Sequence, residues 1–399
     1  MRCVGSVERM PEATAVLPAS LRLPRLAVLG AFAACGGAAG SWGSRIPDIR
    51  ANLDLSEGEL GTALLGLSIG AVSGSWIGGL LVRRYGSRAV VGTAWTATGV
   101  AVTVPGVAPS WLTLGLSLLA LGLTIGVLDV SMNGAGVQLE HAAGRSLLNG
   151  LHAGWSGGVL VGAAIGSGAV ALDVAPSWHL LFVGLLIAGL GVATIRYVPD
   201  GRASALVAGD DADAEVPPTR GRGSSGRRLA ALAAIGGCVF LAEGAVLDWA
   251  GVFVREDLGG EPILGSLAVT GASAGGLLGR MVGDRLAARF GAARLVRAGA
   301  IVALAGLGTS LLMVSPVPVP ILLVVLGAGL APAVPLAFAA AGRRHGEHGI
   351  AVVTTAGYGA YLAGPAAIGW IAKGASLRIA LLVPLLLVLA VVPLAWSTD

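Results

Sequence analysis

The sequence predicts an all-α membrane protein with twelve transmembrane helices, arranged as two similar six-helix bundles. Three observations support this class. Of the 399 residues, 55% are hydrophobic and only 12% are charged, whereas a soluble domain carries about 25% charged residues. The apolar residues form runs of about 18 or more, each long enough to cross a hydrocarbon core of roughly 30 Å. The two halves of the chain also repeat one another at a fixed offset.

Twelve apolar runs define the predicted spans, which we number 1 to 12 along the chain. Spans 1 to 6 are predicted near 24–45, 57–82, 87–106, 111–138, 147–172 and 177–198. Spans 7 to 12 are predicted near 229–254, 262–287, 293–314, 317–341, 349–372 and 377–397. Since the first 20 residues are too polar for a cleavable signal, we expect span 1 to be an uncleaved membrane segment.

The domain organisation follows from these spans. We predict an N-terminal tail (1–23), an N-terminal bundle (24–198), a linker (199–228) and a C-terminal bundle (229–399). The linker contains GDDADAEVPPTRGRGSSGRR, which is first acidic, then Pro-Pro, then basic with Gly and Ser. Such a stretch has too little apolar surface to offset the entropy of ordering, so it predicts an unstructured connection.

Lys and Arg residues predict the orientation, because they resist translocation. With both termini in the cytoplasm, most of the 26 Lys and Arg residues fall on the cytoplasmic side, including five arginines assigned to the region of the loop between spans 8 and 9. We therefore expect a multi-pass protein of the inner or plasma membrane. The net charge of +4 does not indicate nucleic acid, because the basic residues are not interleaved with aromatic ones.

An internal repeat links the two bundles. Spans 2 and 8 each contain four glycines spaced four residues apart, which we call a glycine ladder. The ladder of span 2 is Gly66, Gly70, Gly74 and Gly78, and each glycine of the span 8 ladder, Gly271, Gly275, Gly279 and Gly283, follows its counterpart by 205 residues. Ladders of this kind mark faces where helix backbones pack closely. Duplicated bundles form a central substrate path between the halves of many secondary transporters.

The cysteines and the G-x-S-x-G matches of this chain do not indicate a metal site or an enzyme. Cys3, Cys35 and Cys238 show no metal-ligand spacing, so neither a zinc site nor a disulfide framework is expected. G-x-S-x-G occurs three times, but always within apolar helices rather than at a strand-to-helix turn. We expect no cofactor, no metal and no enzyme activity. A membrane receptor would need a substantial soluble or signalling domain, which we do not find.

Three acidic residues within the spans are the candidates for proton coupling, namely Glu243, Asp129 and Asp248. An acid at the bilayer centre costs about 2.5–3.5 kcal/mol, whereas an interhelical hydrogen bond returns only about 0.6 kcal/mol. A functional role is therefore favoured for Glu243 and Asp129. Glu243 and Asp248 are about 140° apart on an ideal helix. Unless Gly244 distorts the helix, we expect one to face the path and the other to bond a neighbouring helix.

Other polar and aromatic residues of the spans predict the lining of a substrate cavity. The candidates are Trp42, Arg45, Asn133, Asn149, His152, Trp155, Trp249, Tyr358 and Tyr361. Asn133 lies four residues after Asp129 and shares its helix face. In this interpretation the cavity has no Arg or Lys at mid-membrane. Because an anionic solute would require a buried cation, neutral polar or cationic solutes are favoured.

The segment GGLLVRRYGSR (78–88) resembles the loop signature of the Major Facilitator Superfamily (MFS). The glycine and basic positions of that signature are matched by Gly79, Arg84, Gly86 and Arg88. The acidic position is occupied by Arg83. In that superfamily the acid holds the halves together in the outward-open state, so this chain departs from the pattern there. GDRLAARFGAAR in the second half is a looser match.

Further segments resemble a bacterial inner-membrane subgroup near the fucose permease branch. They are WGSRIPDIRANLDLSEGELG, DVSMNGAGVQLE, LLNGLHAGWSGG and AEGAVLDWAGVFVRED. Sugar permeases of the neighbouring branch have an acid in span 1, where this chain offers Ser41, Trp42 and Arg45. The resemblance implies the MFS fold and transport by alternating access.

The expected function is secondary active transport of a small neutral or cationic organic solute, sugar-like or another metabolite, coupled to protons. Glu243 is the expected proton carrier, with Asp129 binding the solute or sharing the proton. The alternative is a proton-antiport efflux pump for a drug or secondary metabolite. The expected partners are the solute, protons and the lipid bilayer, with the chain working as a monomer.

Overall fold

The structure, a computed structural model, describes residues 18–144, 147–200 and 222–399. This part of the chain contains helices and short connections but no strand. The predicted linker segment 201–221 and Cys3 lie outside the described residues. Eleven of the described helices are long and apolar enough to cross a membrane. Residues 347–374 supply the twelfth span, so the predicted all-α fold with twelve spans is confirmed.

The first half contains six long helices in the predicted order. Spans 1 to 6 are Ala19–Leu53, Glu57–Tyr85, Ser87–Ala101, Trp111–Ala143, Leu148–Ala171 and Pro176–Thr194. Short 3-10 turns extend spans 3 and 6 by Val104–Val107 and Ile195–Tyr197. Ser56 starts span 2 with a capping box, in which its hydroxyl accepts from the amide of Glu59 and its own amide donates to the Glu59 carboxylate. This reciprocal bonding satisfies backbone donors that a helix start otherwise leaves unpaired.

The second half repeats this arrangement. Its helices are Arg222–Val252, Pro262–Phe290, Ala292–Leu312, Val319–Leu330, Ala333–Gly374, Leu377–Ala380 and Leu382–Leu394. A π-helical turn, Phe253–Asp257, ends span 7. Gly346 has a φ of 57° and divides Ala333–Gly374, so that the part before it completes span 10 and the part after it is span 11. The left-handed backbone conformation at that break is one that glycine adopts without steric cost.

The turns between spans 2 and 3 and between spans 8 and 9 show the repeat at atomic detail. Gly86 and Gly291 have φ angles of 83° and 88°. Arg84 stacks on Tyr85 and Arg289 on Phe290, each with the guanidinium 5.2 Å from the ring centroid. Both turns therefore have the same geometry, as the offset of 205 residues predicts.

The glycine ladders are the contact faces of helix pairs. Span 2 packs on span 4, where a Cβ at Gly66, Gly70 or Gly74 would overlap a backbone carbonyl of span 4. Span 8 packs on span 10 in the same way through Gly271 and Gly275. The predicted close packing of backbones is thus present in both halves, and these faces leave no room for a ligand.

The inner helix pairs of the two halves differ. Spans 1 and 5 meet backbone to backbone, since a Cβ at Gly40 or Gly158 would overlap a carbonyl of the facing helix. Spans 7 and 11 are held apart by side chains, with Tyr361 packed beside Gly244 and Phe240 beside Gly357. The second half therefore places aromatic side chains against the glycines of its inner helix pair, whereas Gly40 and Gly158 of the first half face backbone.

The two halves close against each other on the side of the bundle opposite the termini, which we call the far side. Arg255 pairs with Asp48, and Arg50 pairs with Glu256. Ser167 and Thr270 are 3.0 Å apart, and Trp370 donates to Thr62 at 3.3 Å; these four residues are all near the far ends of their spans. The polar contacts described between the halves lie on this far side or at the centre of the bundle.

Candidate functional site

Arg280 is the hub of a polar cluster at the centre of the bundle. Its Nη1 donates to the Ser156 hydroxyl at 2.9 Å, and its Nη2 lies 3.4 Å from Glu243 Oε1. The guanidinium carbon is 6.0 Å from the centroid of the Trp155 ring. Because Trp155 and Ser156 belong to span 5 while Glu243 and Arg280 belong to spans 7 and 8, the cluster joins the two halves. The side chains of Arg280 and Glu243 remain 25% and 27% exposed.

The predicted absence of Arg and Lys from mid-membrane was wrong. Arg280 was assigned with four other arginines to the loop between spans 8 and 9, but it lies ten residues before the end of Pro262–Phe290. At 1.5 Å per residue it is about 15 Å inside the helix. The sequence did contain a signal that places Arg280 inside span 8, because it directly follows Gly279 of the glycine ladder. The predicted preference for neutral or cationic solutes rested on that absence and is therefore no longer supported.

Asp129 is the centre of a second cluster that also joins the halves. Asn133 donates to Asp129 Oδ1 at 3.2 Å, and the Tyr358 hydroxyl donates to Oδ2 at 3.5 Å. Asp129 and Asn133 belong to span 4, and Tyr358 belongs to span 11. His152 of span 5 lies within electrostatic range of Asp129. The Phe240 ring of span 7 lies 6.0 Å from the Tyr358 ring, measured between the ring centroids.

The two clusters are neighbours along the bundle axis. On span 5, His152 near Asp129 is one turn from Ser156, which contacts Arg280. On span 11, Tyr358 is one turn from Tyr361, which is within electrostatic range of Glu243. One helical turn is about 5.4 Å, so the clusters are separated by about that distance along the axis. We refer to Asp129, Ser156, Glu243, Arg280 and Tyr358 together as the central site.

The two acids of span 7 have different surroundings. Glu243 faces the central site and pairs with Arg280. Asp248 is buried, with 6% of its surface exposed, and has no hydrogen bond or ion pair to the described residues. Tyr361 of span 11 lies within electrostatic range of both acids. Their different environments agree with the angular separation expected on one helix.

Three predicted cavity residues are buried toward the far side instead. Trp42, Arg45 and Trp249 are at most 2% exposed. Arg45 donates to the Val174 carbonyl and pairs with Asp48 at 3.1 Å. The halves close over these side chains, so they are not part of the central site in this structure. The predicted Asn149 side chain lies outside the described residues.

The residues of the loop signature lie on the side of the termini. Arg88 donates to the Val198 carbonyl at 2.8 Å and lies 3.5 Å from Asp200. It therefore attaches the turn between spans 2 and 3 to the end of span 6. Gly79 is on span 2, and Arg83, at the acidic position of the signature, is exposed.

A bundle of twelve helices in two repeated halves, with charged residues between the halves, defines a membrane transporter of the alternating-access class. The chain belongs to the Major Facilitator Superfamily, whose family model matches residues 27–347. It is therefore a multi-pass membrane transporter and not an enzyme.

Two relatives cover most of the chain. An uncharacterised MFS-type transporter of Yersinia pestis is 29% identical over 353 residues, which are 88% of this chain and 89% of that protein. An uncharacterised transporter of Sinorhizobium fredii is 29% identical over 373 residues, which are 90% of this chain and 94% of that protein.

Solved structures support the fold. The D-xylose–proton symporter has a TM-score of 0.72 at 15% identity, covering 95% of this chain and 97% of its own. A bacterial homologue of the human lysosomal transporter Spinster, inward-facing and occupied, has a TM-score of 0.70 at 12% identity, covering 94% and 96%. The transporter FucP in the outward conformation has a TM-score of 0.60 at 14% identity, covering 95% and 99%. At these identities the likeness shows the fold alone.

Proposed function

We propose that this chain is a proton-coupled secondary transporter that binds a small organic solute at the central site. The observation that carries the proposal is the pair between Arg280 and Glu243 of the second half, which contacts the first half through Ser156 and is about one quarter exposed. A single contact of 3.4 Å is longer than the 2.7–2.9 Å of a strong charge-assisted hydrogen bond. The pair can therefore open when Glu243 takes up a proton.

Glu243 is the proton carrier in this proposal. Protonation removes its charge and ends its attraction for Arg280, which becomes available to another group. Access that alternates between the two sides of the membrane lets Glu243 take up a proton on one side and release it on the other. Asp129, with Asn133 and Tyr358, binds the solute or shares the proton.

The orientation is also part of the proposal. The distribution of Lys and Arg favours cytoplasmic termini in a bacterial inner membrane. Since the halves close on the far side through Asp48–Arg255 and Arg50–Glu256, the central site then opens toward the cytoplasm.

The proposal is tested with purified protein in proteoliposomes, a metabolite panel and an imposed pH gradient. The Glu243→Gln variant keeps the shape of the side chain but cannot titrate. We expect it to lose accumulation driven by the pH gradient while retaining solute exchange. Glu261→Gln is the matched control, because it makes the same chemical change at an exposed glutamate outside the central site.

Accumulation by Glu243→Gln with an unchanged pH dependence would show that Glu243 is not the carrier. Absence of pH-driven transport by the wild-type protein for every panel member would contradict proton coupling itself.

A further inference from the structure

We infer that the transported solute is a small amino-carboxylate, whose carboxylate binds Arg280 in place of Glu243 and whose ammonium group binds Asp129. This inference rests on the proposed function and specifies the solute class of the same site. It also predicts that the proton and the solute move in the same direction.

The geometry of Arg280 is the first argument. A guanidinium group carries five N–H donors in a planar fork that matches a carboxylate. The described contacts use Nη1 for Ser156 and Nη2 for Glu243, so the fork has donors left for a ligand. The Trp155 ring lies 6.0 Å from the guanidinium carbon and provides an aromatic wall beside it. Arg280 is thus held in position while its anionic partner remains exchangeable.

Charge balance is the second argument. Within the membrane a charged side chain requires a partner of opposite charge. When Glu243 is protonated, Arg280 has lost its anion, and a solute carboxylate restores the balance. A neutral solute would leave Arg280 unpaired, and a cation would add a second positive charge beside it. Binding of a proton to Glu243 and of a carboxylate to Arg280 therefore favour each other.

Asp129 supplies the third argument, because no ion pair is described for it. Its described hydrogen bonds come from neutral donors, Asn133 and Tyr358, and His152 of span 5 lies within electrostatic range without pairing with it. An ammonium group would balance its charge, and the amide and hydroxyl would remain as additional contacts. The two clusters are separated by about one helical turn, roughly 5.4 Å along the axis. A carbon chain between the carboxylate and the amine of the solute would span this axial spacing, and the length of that chain is what the series of probes below determines.

Binding to the purified full-length protein tests the inference. The probes are glycine, β-alanine, γ-aminobutyrate and 5-aminovalerate, which vary the distance between the charges. Each is compared with the amino alcohol that lacks the carboxylate, and butyrate serves as the compound that lacks the amine. Affinity is measured by calorimetry at acidic and at neutral pH.

We expect one or more amino-carboxylates to bind, more tightly at acidic pH, and the amino alcohols not to bind. Glu243→Gln should bind as tightly at neutral pH as the wild type does at acidic pH, because glutamine mimics the protonated acid. Arg280→Gln should weaken binding by about 30-fold or more, since it removes the charged group that is proposed to bind the carboxylate. Asp129→Asn should weaken amino-carboxylates more than butyrate, and Arg285→Gln, the control at an exposed arginine of the same helix as Arg280, should change neither.

Three results would overturn the inference: tight binding of amino alcohols, unaltered carboxylate binding by Arg280→Gln, or no carboxylate binding by either the wild type or Glu243→Gln. Transport assays separate this failure from that of the proposed function. If a pH gradient drives an amino alcohol or xylose but no carboxylate, the solute class is wrong and proton coupling stands. If carboxylates bind but no pH gradient drives them, proton coupling is wrong and the solute class stands.

Discussion

The two halves of this transporter meet through charged residues at two levels, the central site and the far side, and the two levels differ in whether the ion pairs cross between the halves. On the far side Asp48 is shared by Arg45 and Arg255, and Arg50 is shared by Glu57 and Glu256. Each shared charge keeps one partner within its own half when the other half moves away. At the centre, the one ion pair described for Arg280 is with Glu243 of its own half, and the contact of Arg280 that reaches the first half is its hydrogen bond to Ser156.

This difference indicates two roles for these ion pairs. Asp48 and Arg50 keep a partner within the first half when the halves separate, so neither is left unpaired in the membrane. A charge with one partner is left unpaired when that partner is neutralised, so it requires a ligand. The far side is therefore suited to opening and closing, and the centre is suited to binding. The following predictions test this comparison in order of decreasing effect.

The largest effect is expected when the framework behind both levels is disrupted. Gly74→Leu and Gly279→Leu place a bulky side chain against the Leu123 and Ala328 carbonyls and push the backbones apart. We expect a severalfold loss of folded protein, measured by size-exclusion chromatography, or a blocked transport cycle. Gly189→Leu is the control, because no atom of the described residues lies within 4 Å of a Cβ there. Normal yield and transport in both ladder variants would contradict the packing role.

A smaller effect is expected when a shared charge on the far side is removed. Asp48→Asn weakens the link to Arg255 of the other half and favours opening of the far side. Because ion pairs near the surface contribute up to about 1 kcal/mol, the ratio of the two states should shift by roughly fivefold. Distances between spin labels on the far ends of the two halves measure this shift. An unchanged distance distribution would show that Asp48 does not hold the halves together.

Asp248 lies on span 7 between the two levels, and its substitution tests whether it takes part in either of them. It is buried without a described hydrogen bond or ion pair, and an isolated carboxyl is costly to bury. Asp248→Asn should therefore raise the free energy of unfolding by about 1 kcal/mol, while pH-driven transport continues. Thermal unfolding and transport are measured on the same preparation. Loss of proton coupling would assign Asp248 a role that we give to Glu243.

The smallest effect is expected at the edge of the central site. Tyr358→Phe removes the hydroxyl that donates to Asp129 at 3.5 Å, a weak contact by its length. Solute affinity should fall by about twofold to fivefold, which corresponds to roughly 0.5–1 kcal/mol for one hydrogen bond. Titration calorimetry with the wild type as reference checks this value. A loss as large as that of Arg280→Gln would mean that the tyrosine itself binds the solute.

The sequence predicted individual residues of this site better than the contacts that those residues make. Asp129 and Asn133 were placed on one helix face by their spacing, and the structure joins them by a hydrogen bond. Trp42 and Arg45 were also predicted to face the cavity, but they are buried toward the far side. Whether these two side chains are buried depends on the contact between the halves. The local sequence around them does not encode that contact.

The sequence by itself determined the twelve spans, the repeat and the close packing of spans 2 and 8, because hydrophobic length and glycine spacing act within a helix or between adjacent helices. The tertiary structure alone decided that Arg280 lies opposite Glu243 and Ser156, and that Tyr358 reaches Asp129. These pairs are 37, 124 and 229 residues apart in the chain. Such contacts depend on the rotation of each helix and on the docking of one half against the other, which no local pattern encodes.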